Sequence, residues 1–168
     1  MFQPNDYVFY ESGGICKIAD IQTSPLSGMP PDRKYYILTS VHDKNGVMYI
    51  PVDSENIFLR PLLSRTEAEA LVEQIPSVVV FEEPTAKLLR TRYLEAMRTH
   101  LPVEWVRVIK TVFARTKNCV NRNQRVSDSE RAFAESAKRY LYAELSLALE
   151  LSEGEIEQHL APRLQKMA

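Results

Sequence analysis

The chain has few of the residues that build disulfide frameworks and metal sites. It has two cysteines, Cys16 and Cys119, and three histidines, His42, His100 and His159, in 168 residues. Two cysteines so far apart cannot form a framework of several disulfides, and such usage suits a reducing compartment. The histidines lie far from one another and from both cysteines, so none has the spacing of a zinc ligand pair. We therefore expect no metal and no other cofactor.

Glycine is also scarce, at five residues. Its only pair, Gly13-Gly14, is typical of a turn, whereas a phosphate-binding loop needs a longer glycine-rich run that ends in Gly-Lys-Ser/Thr. No Gly-x-Ser-x-Gly nucleophile elbow occurs, and Glu82-Glu83 precedes a predicted helix, where adjacent acids favour the helix dipole. We therefore expect no catalytic residue and no enzyme activity. One alternative stays open, a thiol sensor at Cys119, because the nearby Lys117 and Arg122 would favour a thiolate.

Long apolar runs are absent as well. No stretch approaches the roughly eighteen apolar residues that are needed to span a bilayer. The first six residues, Met-Phe-Gln-Pro-Asn-Asp, carry no positive charge and no apolar stretch, unlike a secretory signal. Apolar residues make up 45% of the chain and charged residues 26%, the balance of a globular protein. We therefore expect a cytoplasmic protein that does not bind membranes.

What the chain does have is a very uneven distribution of charge. Residues 1–85 contain 6 basic and 12 acidic residues, a net charge of −6. Residues 86–125 contain 10 basic and 2 acidic residues, a net charge of +8, and residues 126–168 have 5 and 8, a net charge of −3. A basic segment in an otherwise acidic protein is typical of a face that binds nucleic acid. The alternative is a solvated helical surface that happens to be basic.

The first sixty residues have the pattern of short strands. Residues that favour β-structure fill five stretches, which are separated by Gly, Pro, Asn and Asp. The predicted strands are 7–10, 15–23, 35–39, 47–52 and 57–60. Asn45-Gly46 predicts a hairpin between the third and fourth strands. Partial alternation in the second strand predicts one shared side for Ile15, Lys17, Ala19 and Ile21. Five short strands with tight turns indicate a small, strongly bent sheet or barrel.

The rest of the chain has the pattern of helices, with clear start signals. Three capping boxes begin at Ser64, Ser127 and Ser152, each with a Glu three residues later. Pro84 and Pro102 stand where prolines open helices. The predicted elements are helices 65–75, 84–99, 102–117, 128–150 and 153–166, and a polar loop over 117–125. The predicted fold class is therefore α+β, with a small β domain followed by an all-α domain of four to five helices.

Two neighbouring predicted helices carry most of the basic residues. Apolar residues at helical spacing in helix 102–117 should face the core: Val106, Ile109, Val112 and Phe113. Its opposite side carries Arg107, Lys110 and Lys117. The preceding helix adds Lys87, Arg90, Arg92 and Arg98. Two adjacent helices with outward cations form a surface suited to phosphates, whose binding releases counterions.

Aromatic residues leave two interpretations open. Trp105, the only tryptophan, could stack on or wedge into nucleic acid. It also adjoins the apolar Val106 in helix 102–117, which favours packing between helices. Tyr35, Tyr36 and Tyr49 on predicted strands raise the same choice between core and partner surface.

With these elements in place, the chain resembles the CarD/CdnL family of bacterial transcription factors. The most specific similarity lies in the first part of the chain, in the segments 5–10, 13–18, 35–38, 48–53 and 59–64. They read Asn-Asp-Tyr-Val-Phe-Tyr, Gly-Gly-Ile-Cys-Lys-Ile, Tyr-Tyr-Ile-Leu, Met-Tyr-Ile-Pro-Val-Asp and Leu-Arg-Pro-Leu-Leu-Ser. In the second half, Arg92-Tyr93-Leu94 and residues 143–148, Ala-Glu-Leu-Ser-Leu-Ala, are similar to the family's helical domain.

The resemblance implies a Tudor-like β domain that binds the β subunit of RNA polymerase, as a related domain of the transcription-repair coupling factor does. It also implies a helical domain on promoter DNA at the upstream edge of the transcription bubble, where it stabilises the open complex. The implied polymerase-binding residues are Ile21, Gln22, Thr23, Ser24, Met48, Tyr49 and Ile50. Well-known members carry arginines where this chain has Ser24 and Tyr49, so the contact must differ in chemistry.

The DNA-binding set combines the basic face with the resemblance: Lys87, Leu89, Arg90, Arg92, Arg98, Arg107, Lys110, Lys117 and Arg122. Well-studied members insert a tryptophan wedge just before the Arg-Tyr pair. Alignment on Tyr93 gives Leu89 at that position, and alignment on residues 82–85 gives Lys87. Leucine can act as a wedge, although it offers less surface than tryptophan.

We therefore expect a monomeric, nucleoid-associated regulator of three parts: the β domain 1–63, a connector helix and linker 64–83, and the DNA-binding domain 84–168. The expected partners are the polymerase β subunit and double-stranded promoter DNA, with weak sequence specificity because no base-reading motif is present. The alternative is a protein–protein adaptor that binds polymerase and never contacts DNA. Pairing of the basic residues with the acidic helices over 128–168 would favour the adaptor.

Overall fold

The computed structural model of the chain describes residues 1–43 and 45–167. A boundary between Leu62 and Leu63 divides the chain into two compact units. The first contains all the strands and the second all the helices, so we call them the β unit and the helical unit. This arrangement confirms the predicted α+β fold class.

The β unit is one five-stranded antiparallel sheet. Its strands are β1 (Tyr7–Tyr10), β2 (Gly14–Thr23), β3 (Lys34–Ser40), β4 (Val47–Pro51) and β5 (Leu59–Pro61). Their order in the sheet is β4-β3-β2-β1-β5, which puts β4 and β5 at its two edges. The predicted hairpin between β3 and β4 is confirmed, with Thr39 opposite Val47. Its loop includes Lys44, which lies outside the described residues.

The Gly13-Gly14 pair makes the tight turn between β1 and β2. Gly14 has a φ of +67°, a left-handed conformation that residues other than glycine rarely adopt. A Cβ added at Gly13 would lie 2.9 Å from Cε of Met48 and 3.0 Å from Cδ1 of Tyr10. The first glycine therefore allows close packing, and the second allows the chain to reverse.

A β-bulge in β2 corrects the expected side-chain alternation. Ile18 pairs with Leu38 and Asp20 with Ile37, so Ala19 is an extra residue without a partner. Cys16 and Ile18 belong to the core, and Ile21 packs against the same core after the bulge. Because the bulge shifts the alternation by one residue, Ile15, Lys17, Ala19 and Ile21 do not share one side. The rest of this core is formed by Val8, Tyr36, Leu38 and Ile50.

The helical unit begins with α1 and ends with α5. Its elements are α1 (Arg65–Gln74), a 3₁₀ turn (Ile75–Ser77), α2 (Ala86–Arg98), α3 (Pro102–Asn121), α4 (Asp128–Leu149) and α5 (Glu153–Leu164). All three predicted capping boxes form, at Ser64, Ser127 and Ser152. Pro102 is in the first turn of α3, as predicted, whereas α2 is capped by Thr85 and begins after it, so Pro84 lies outside the helix.

Helix α3 is longer than predicted, because its polar last turn is helical. It ends at a Schellman motif, in which Gln124 N–H donates to Cys119 O (2.7 Å) and Asn123 N–H to Val120 O (3.1 Å). Asn123 has the left-handed φ of +53° that this motif needs, and asparagine tolerates it. The predicted loop over 117–125 is therefore wrong for residues 117–121.

Helix α1 packs into the helical unit and does not stand apart as the expected connector. Its buried residues Ala68, Leu71 and Val72 form a stripe along one side. Just before α1, Leu63 N–H donates to Oε1 of Glu144 on α4 (2.9 Å). The short apolar stripe explains the difference, because it needs a partner surface and finds one in its own unit.

Trp105 belongs to the core of the helical unit. Its side chain is fully buried and its ring lies 5.5 Å from that of Tyr140. Tyr35 and Tyr36 are likewise buried in the β unit. The structure thus favours the packing interpretation for these three residues.

Candidate polymerase-binding and DNA-binding surfaces

Strand β4 is an edge strand with two different sides. Val52 N–H donates to Lys34 O on β3 (3.0 Å). Because positions alternate in an antiparallel pair, Ile50 and Met48 also direct their backbone groups toward β3. Val47 and Tyr49 therefore direct their N–H and C=O groups away from the sheet, along its open edge. An edge of this kind can accept another strand.

The predicted polymerase-binding residues differ in what they expose. Ile50 is only 6% exposed and belongs to the core, so its side chain cannot contact a partner, which corrects that prediction. Met48 and Ile21 are partly buried and pack against the same core. Gln22 and Thr23 are exposed, and the side-chain amide of Gln22 donates to Asp20 (2.7 Å).

Ser24 has a structural role at the start of the loop that joins β2 and β3. Its φ is +45°, its N–H donates to Arg33 O (2.9 Å) and its hydroxyl donates to Pro30 O. Arg33 in turn pairs with Asp53 just beyond β4, with Nε 2.9 Å from Oδ1. These bonds hold the loop beside the end of the edge strand.

Helix α2 has one buried side, and the rest of its surface is exposed. Leu89, Tyr93 and Ala96 form the buried side. At 3% exposure Leu89 cannot act as a wedge, so this prediction is wrong. The sequence does contain a signal for the burial of Leu89: it precedes Tyr93 by four residues, so the two side chains lie on the same side of the helix. The adjacent Leu88 is 47% exposed and precedes Arg92 by four residues.

Lys110 is fully buried, which corrects its assignment to the DNA-binding set. Its ammonium donates to the carbonyl oxygens of Ile75 (2.9 Å), Pro76 (3.0 Å) and Val78 (2.8 Å). Burial lowers the pKa of this ammonium. Three acceptors match the three N–H groups of the lysine, so the side chain joins the middle of α3 to the segment after α1.

Two further cations of the predicted set are engaged by carboxylates. Arg92 Nε lies 2.6 Å from Glu83, and its Nη1 lies 3.5 Å from Glu95. The hydrogen bond and charge of Glu83 raise the pKa of the Arg92 guanidinium. Arg107 lies 3.3 Å from Glu104 and stacks over the Phe81 ring at 5.4 Å. Arg92 stays about half exposed, but its charge is balanced locally.

The remaining cations are exposed and unbalanced. Within residues 1–43 and 45–167 the following form no ion pair: Lys87, Arg90, Arg98, Lys117, Arg122 and Arg125. All except Arg98 lie near the start of α2, the end of α3 or the turn before α4. We call these five residues the basic end of the helical unit. Arg125 was absent from the predicted set, although its charge was visible in the sequence.

A cleft of about 370 Å³ opens between α2 and the start of α4. Lys87 and Arg90 line one side and Ser127 and Ser129 the other, with Phe133 also in the lining. Since Arg125 precedes Ser127 by two residues, the cleft belongs to the same end of the unit.

Beneath the cleft, Glu130 joins three helices. Its carboxylate accepts from Arg115 Nε on α3 (2.6 Å) and from the Tyr93 hydroxyl on α2 (3.2 Å). Burial opposes the charged carboxylate, but the hydrogen bonds and charge of Arg115 keep the pKa of Glu130 below its ordinary value. Burial and the Glu130 charge raise the pKa of Tyr93. The base of the cleft is thus neutralised, which leaves the charges of Lys87 and Arg90 uncompensated.

The two cysteines lie in different environments. Burial raises the pKa of the Cys16 thiol to about 11, and Cys119 is a partly buried residue near the end of α3. The described residues contain no group of three or more His, Cys, Asp or Glu side chains that could hold a metal ion. Among the helices of the described chain, none has the length and apolarity to cross a membrane.

Comparison with known protein families identifies the β unit. No curated protein matches the chain significantly. The family model of the CarD-like/TRCF RID domain matches residues 2–63, which is nearly the whole β unit. This domain family interacts with RNA polymerase and points to a non-catalytic transcription factor. Residues 2–63 therefore belong to the CarD-like/TRCF RID domain family, and the β unit is an RNA polymerase-interacting domain of this type.

Proposed function

We propose that this protein regulates transcription by holding the RNA polymerase β subunit with its β unit and promoter DNA with its helical unit. The DNA contact lies near the upstream edge of the bubble, where it changes the stability of the open complex. One observation carries the proposal: a polymerase-interacting domain is joined to a separate unit whose basic end has five exposed cations that form no ion pair within the described residues. Its site of action is the nucleoid.

The polymerase contact uses the open edge of β4. Backbone groups of Val47 and Tyr49 pair with an edge strand of the β subunit, so the recognition is mainly through main-chain hydrogen bonds. Val47 is 48% exposed, which is consistent with an accessible edge. Gln22 and Thr23 add polar contacts from the neighbouring part of the sheet. This mode explains how binding survives without the arginines that well-known members carry.

The DNA contact is made by the basic end and by Arg98. Lys87 and Arg90 contact phosphates from the cleft, and Lys117, Arg122 and Arg125 extend the contact around the turn before α4. Arg98 lies eleven residues from Lys87 along α2, about 16 Å of helix. Such contacts depend on phosphate and not on base identity, so sequence specificity is weak.

Leu88 takes the position of the wedge in this proposal. It is exposed on α2, one turn before Arg92, whereas Leu89 packs inside. A leucine inserted at a base step contributes less than a tryptophan, because it buries less surface. Stabilisation of the open complex is therefore modest and depends on the tether to polymerase.

The alternative function is an adaptor that contacts polymerase and no DNA. The contacts of Arg92, Arg107 and Lys110 within the helical unit favour the adaptor, because these three cations then contribute less charge to the predicted DNA-binding surface. Against it, none of the nine predicted DNA-binding residues pairs with a carboxylate of 128–167. Carboxylates of this segment pair instead with other cations, among them Arg65, Arg115 and Arg131.

Fluorescence anisotropy of a blunt promoter duplex, with the full chain and with or without polymerase, tests the proposal over a salt series. We expect weak, salt-sensitive binding that tightens when polymerase is added, because the tether raises the local concentration of the helical unit. Polymerase binding without any DNA signal, even at low salt, would leave only the adaptor. An unchanged DNA affinity on addition of polymerase would contradict the bridging mechanism.

A further inference from the structure

The cleft between α2 and α4 has the lining of a nucleotide site. Lys87 and Arg90 are exposed cations on one side, and neither forms an ion pair within the described chain. Phe133 is partly buried, and its ring lies 5.5 Å from the Tyr93 ring. Ser129 adds a hydroxyl at the exposed rim. Cations, an aromatic ring and a hydroxyl match the phosphate, the base face and the base edge of one nucleotide.

We propose that this cleft captures a single unpaired nucleotide, with its base on Phe133 and its phosphate between Lys87 and Arg90. The inference rests on the proposed DNA-binding function and gives that function a preferred form of DNA. A base inside a duplex is stacked on both faces, so it cannot reach an aromatic ring in a recess. Only an unpaired base, at an overhanging end, at a mismatch or at the edge of a melted region, can enter.

The dimensions and charge of the cleft agree with one nucleotide. Its volume of about 370 Å³ lies within the usual range for small-ligand sites. The carboxylate of Glu130 in its lining is neutralised by Arg115, so it does not repel a phosphate as an isolated carboxylate would. Stacking on an aromatic ring is tolerant of base type, so the site reads the unpaired state and not the sequence.

The test compares two DNAs of equal length in anisotropy titrations with the full chain. One is a blunt duplex, and the other has a single unpaired 2-aminopurine at its end. We expect about tenfold tighter binding of the second DNA, a difference of about 1.4 kcal/mol, within the range for base–aromatic stacking. The fluorescence of the 2-aminopurine should fall on binding, because stacking quenches it.

Phe133→Leu keeps an apolar side chain but removes the aromatic face. We expect this variant to bind both DNAs with the affinity of the wild type for the blunt duplex and to lose the quenching. Phe113→Leu, on a partly buried aromatic residue of α3 that does not line the cleft, is the matched control and should keep the preference. Circular dichroism of both variants checks that the helices are retained.

The outcomes separate this inference from the proposed function. Equal binding of both DNAs by the wild type would overturn nucleotide capture and leave phosphate binding intact. A preference that Phe133→Leu keeps would also overturn it, because the base would then be held elsewhere. Binding of neither DNA at low salt would contradict the proposed DNA-binding function itself.

Discussion

The middle of α3 and the basic end of the helical unit carry the same kind of charge in the sequence, but the fold uses them differently. Lys110 in the middle of α3 is enclosed by three carbonyl groups, and Arg107 pairs with Glu104. Lys87 and Arg90 at the basic end have no ion-pair partner within the described residues. A count of basic residues therefore overestimates the charge of a DNA-binding surface, because some of the cations form contacts that stabilise the fold.

The two sides of β4 show the same distinction for backbone groups. Met48 and Ile50 direct their N–H and C=O groups to β3, and Val47 and Tyr49 direct theirs to the open edge. In both units the proposed contact surface consists of groups that have no partner among the described residues. Each of the following predictions changes either a group that has a partner within the fold or a group that has none among the described residues.

The largest effect is expected for Lys110→Met. The methionine fills a similar volume but removes all three N–H donors, so the carbonyls of Pro76 and Val78 lose the lysine while Ile75 O keeps only the N–H of Val78. We expect a loss of about 3 kcal/mol or more in the free energy of unfolding, measured by urea denaturation. Lys117→Met, on an exposed lysine of the same helix, is the control and should change stability little. Equal midpoints for the two variants would contradict the structural role of Lys110.

Tyr49→Pro tests the open edge of β4. Proline removes an N–H that points away from β3, so the β unit should keep its stability. Polymerase affinity should fall about tenfold or more, because the added strand loses a main-chain hydrogen bond and meets the proline ring. Surface plasmon resonance on immobilised polymerase measures the affinity.

Two further variants separate the backbone effect of Tyr49→Pro from others. Tyr49→Ala removes the side chain and keeps the N–H, so it should bind better than the proline variant. Met48→Pro removes an N–H that pairs with β3, so the sheet loses a ladder hydrogen bond and the β unit should be clearly less stable than in Tyr49→Pro. Full polymerase binding by Tyr49→Pro would show that the edge is not the contact.

The sequence alone predicts most of the elements whose signals are local. The strands, the hairpin and the three capping boxes depend on residues within a few positions of one another, and all of them form. The end of α3 is an exception, because the polar run 117–125 resembles a loop, whereas Asn123 is the left-handed residue that closes the helix.

The outcome for the basic residues could not be predicted from local patterns. The acceptors of Lys110 lie 32 to 35 residues away in the sequence, on a segment whose path no motif specifies. The helical spacing of Lys110 with Arg107 and Lys117 predicts a solvent-facing side chain. The tertiary contacts of Lys110 bury it instead. A charge reversal at Arg92 and Lys110, which the sequence would suggest as a test of DNA binding, would instead test folding.

The double variant Lys87→Glu/Arg90→Glu tests the basic end. We expect the affinity for duplex DNA to fall about tenfold or more at low salt, and the slope of log K against log salt to decrease by about 2. Lys138→Glu/Arg139→Glu, which makes the same change of charge in the middle of α4, is the control for net charge. Equal losses in the two variants would mean that DNA responds to overall charge and not to the basic end.

The smallest effect is expected for Glu130→Gln. This variant separates the packing of the Glu130 side chain beneath the cleft from the effect of its negative charge. The glutamine can keep the capping box with Ser127 but loses the ion pair with Arg115. The hydrogen bonds and charge of Arg115 hold the folded-state pKa of Glu130 below the ordinary glutamate value of 4.5. The stability that its charge contributes is therefore present above about pH 4.5 and is lost as the pH falls through the folded-state pKa. We expect the variant to be about 1 kcal/mol less stable than the wild type at pH 7, with a difference that shrinks in acid. Urea denaturation at several pH values measures this stability difference. Glu157→Gln on α5 is the control, because Glu157 forms no ion pair within the described residues. A difference that stays constant with pH would mean that Glu130 acts by packing, and its neutralisation by Arg115 would then not explain why Lys87 and Arg90 remain available to a phosphate.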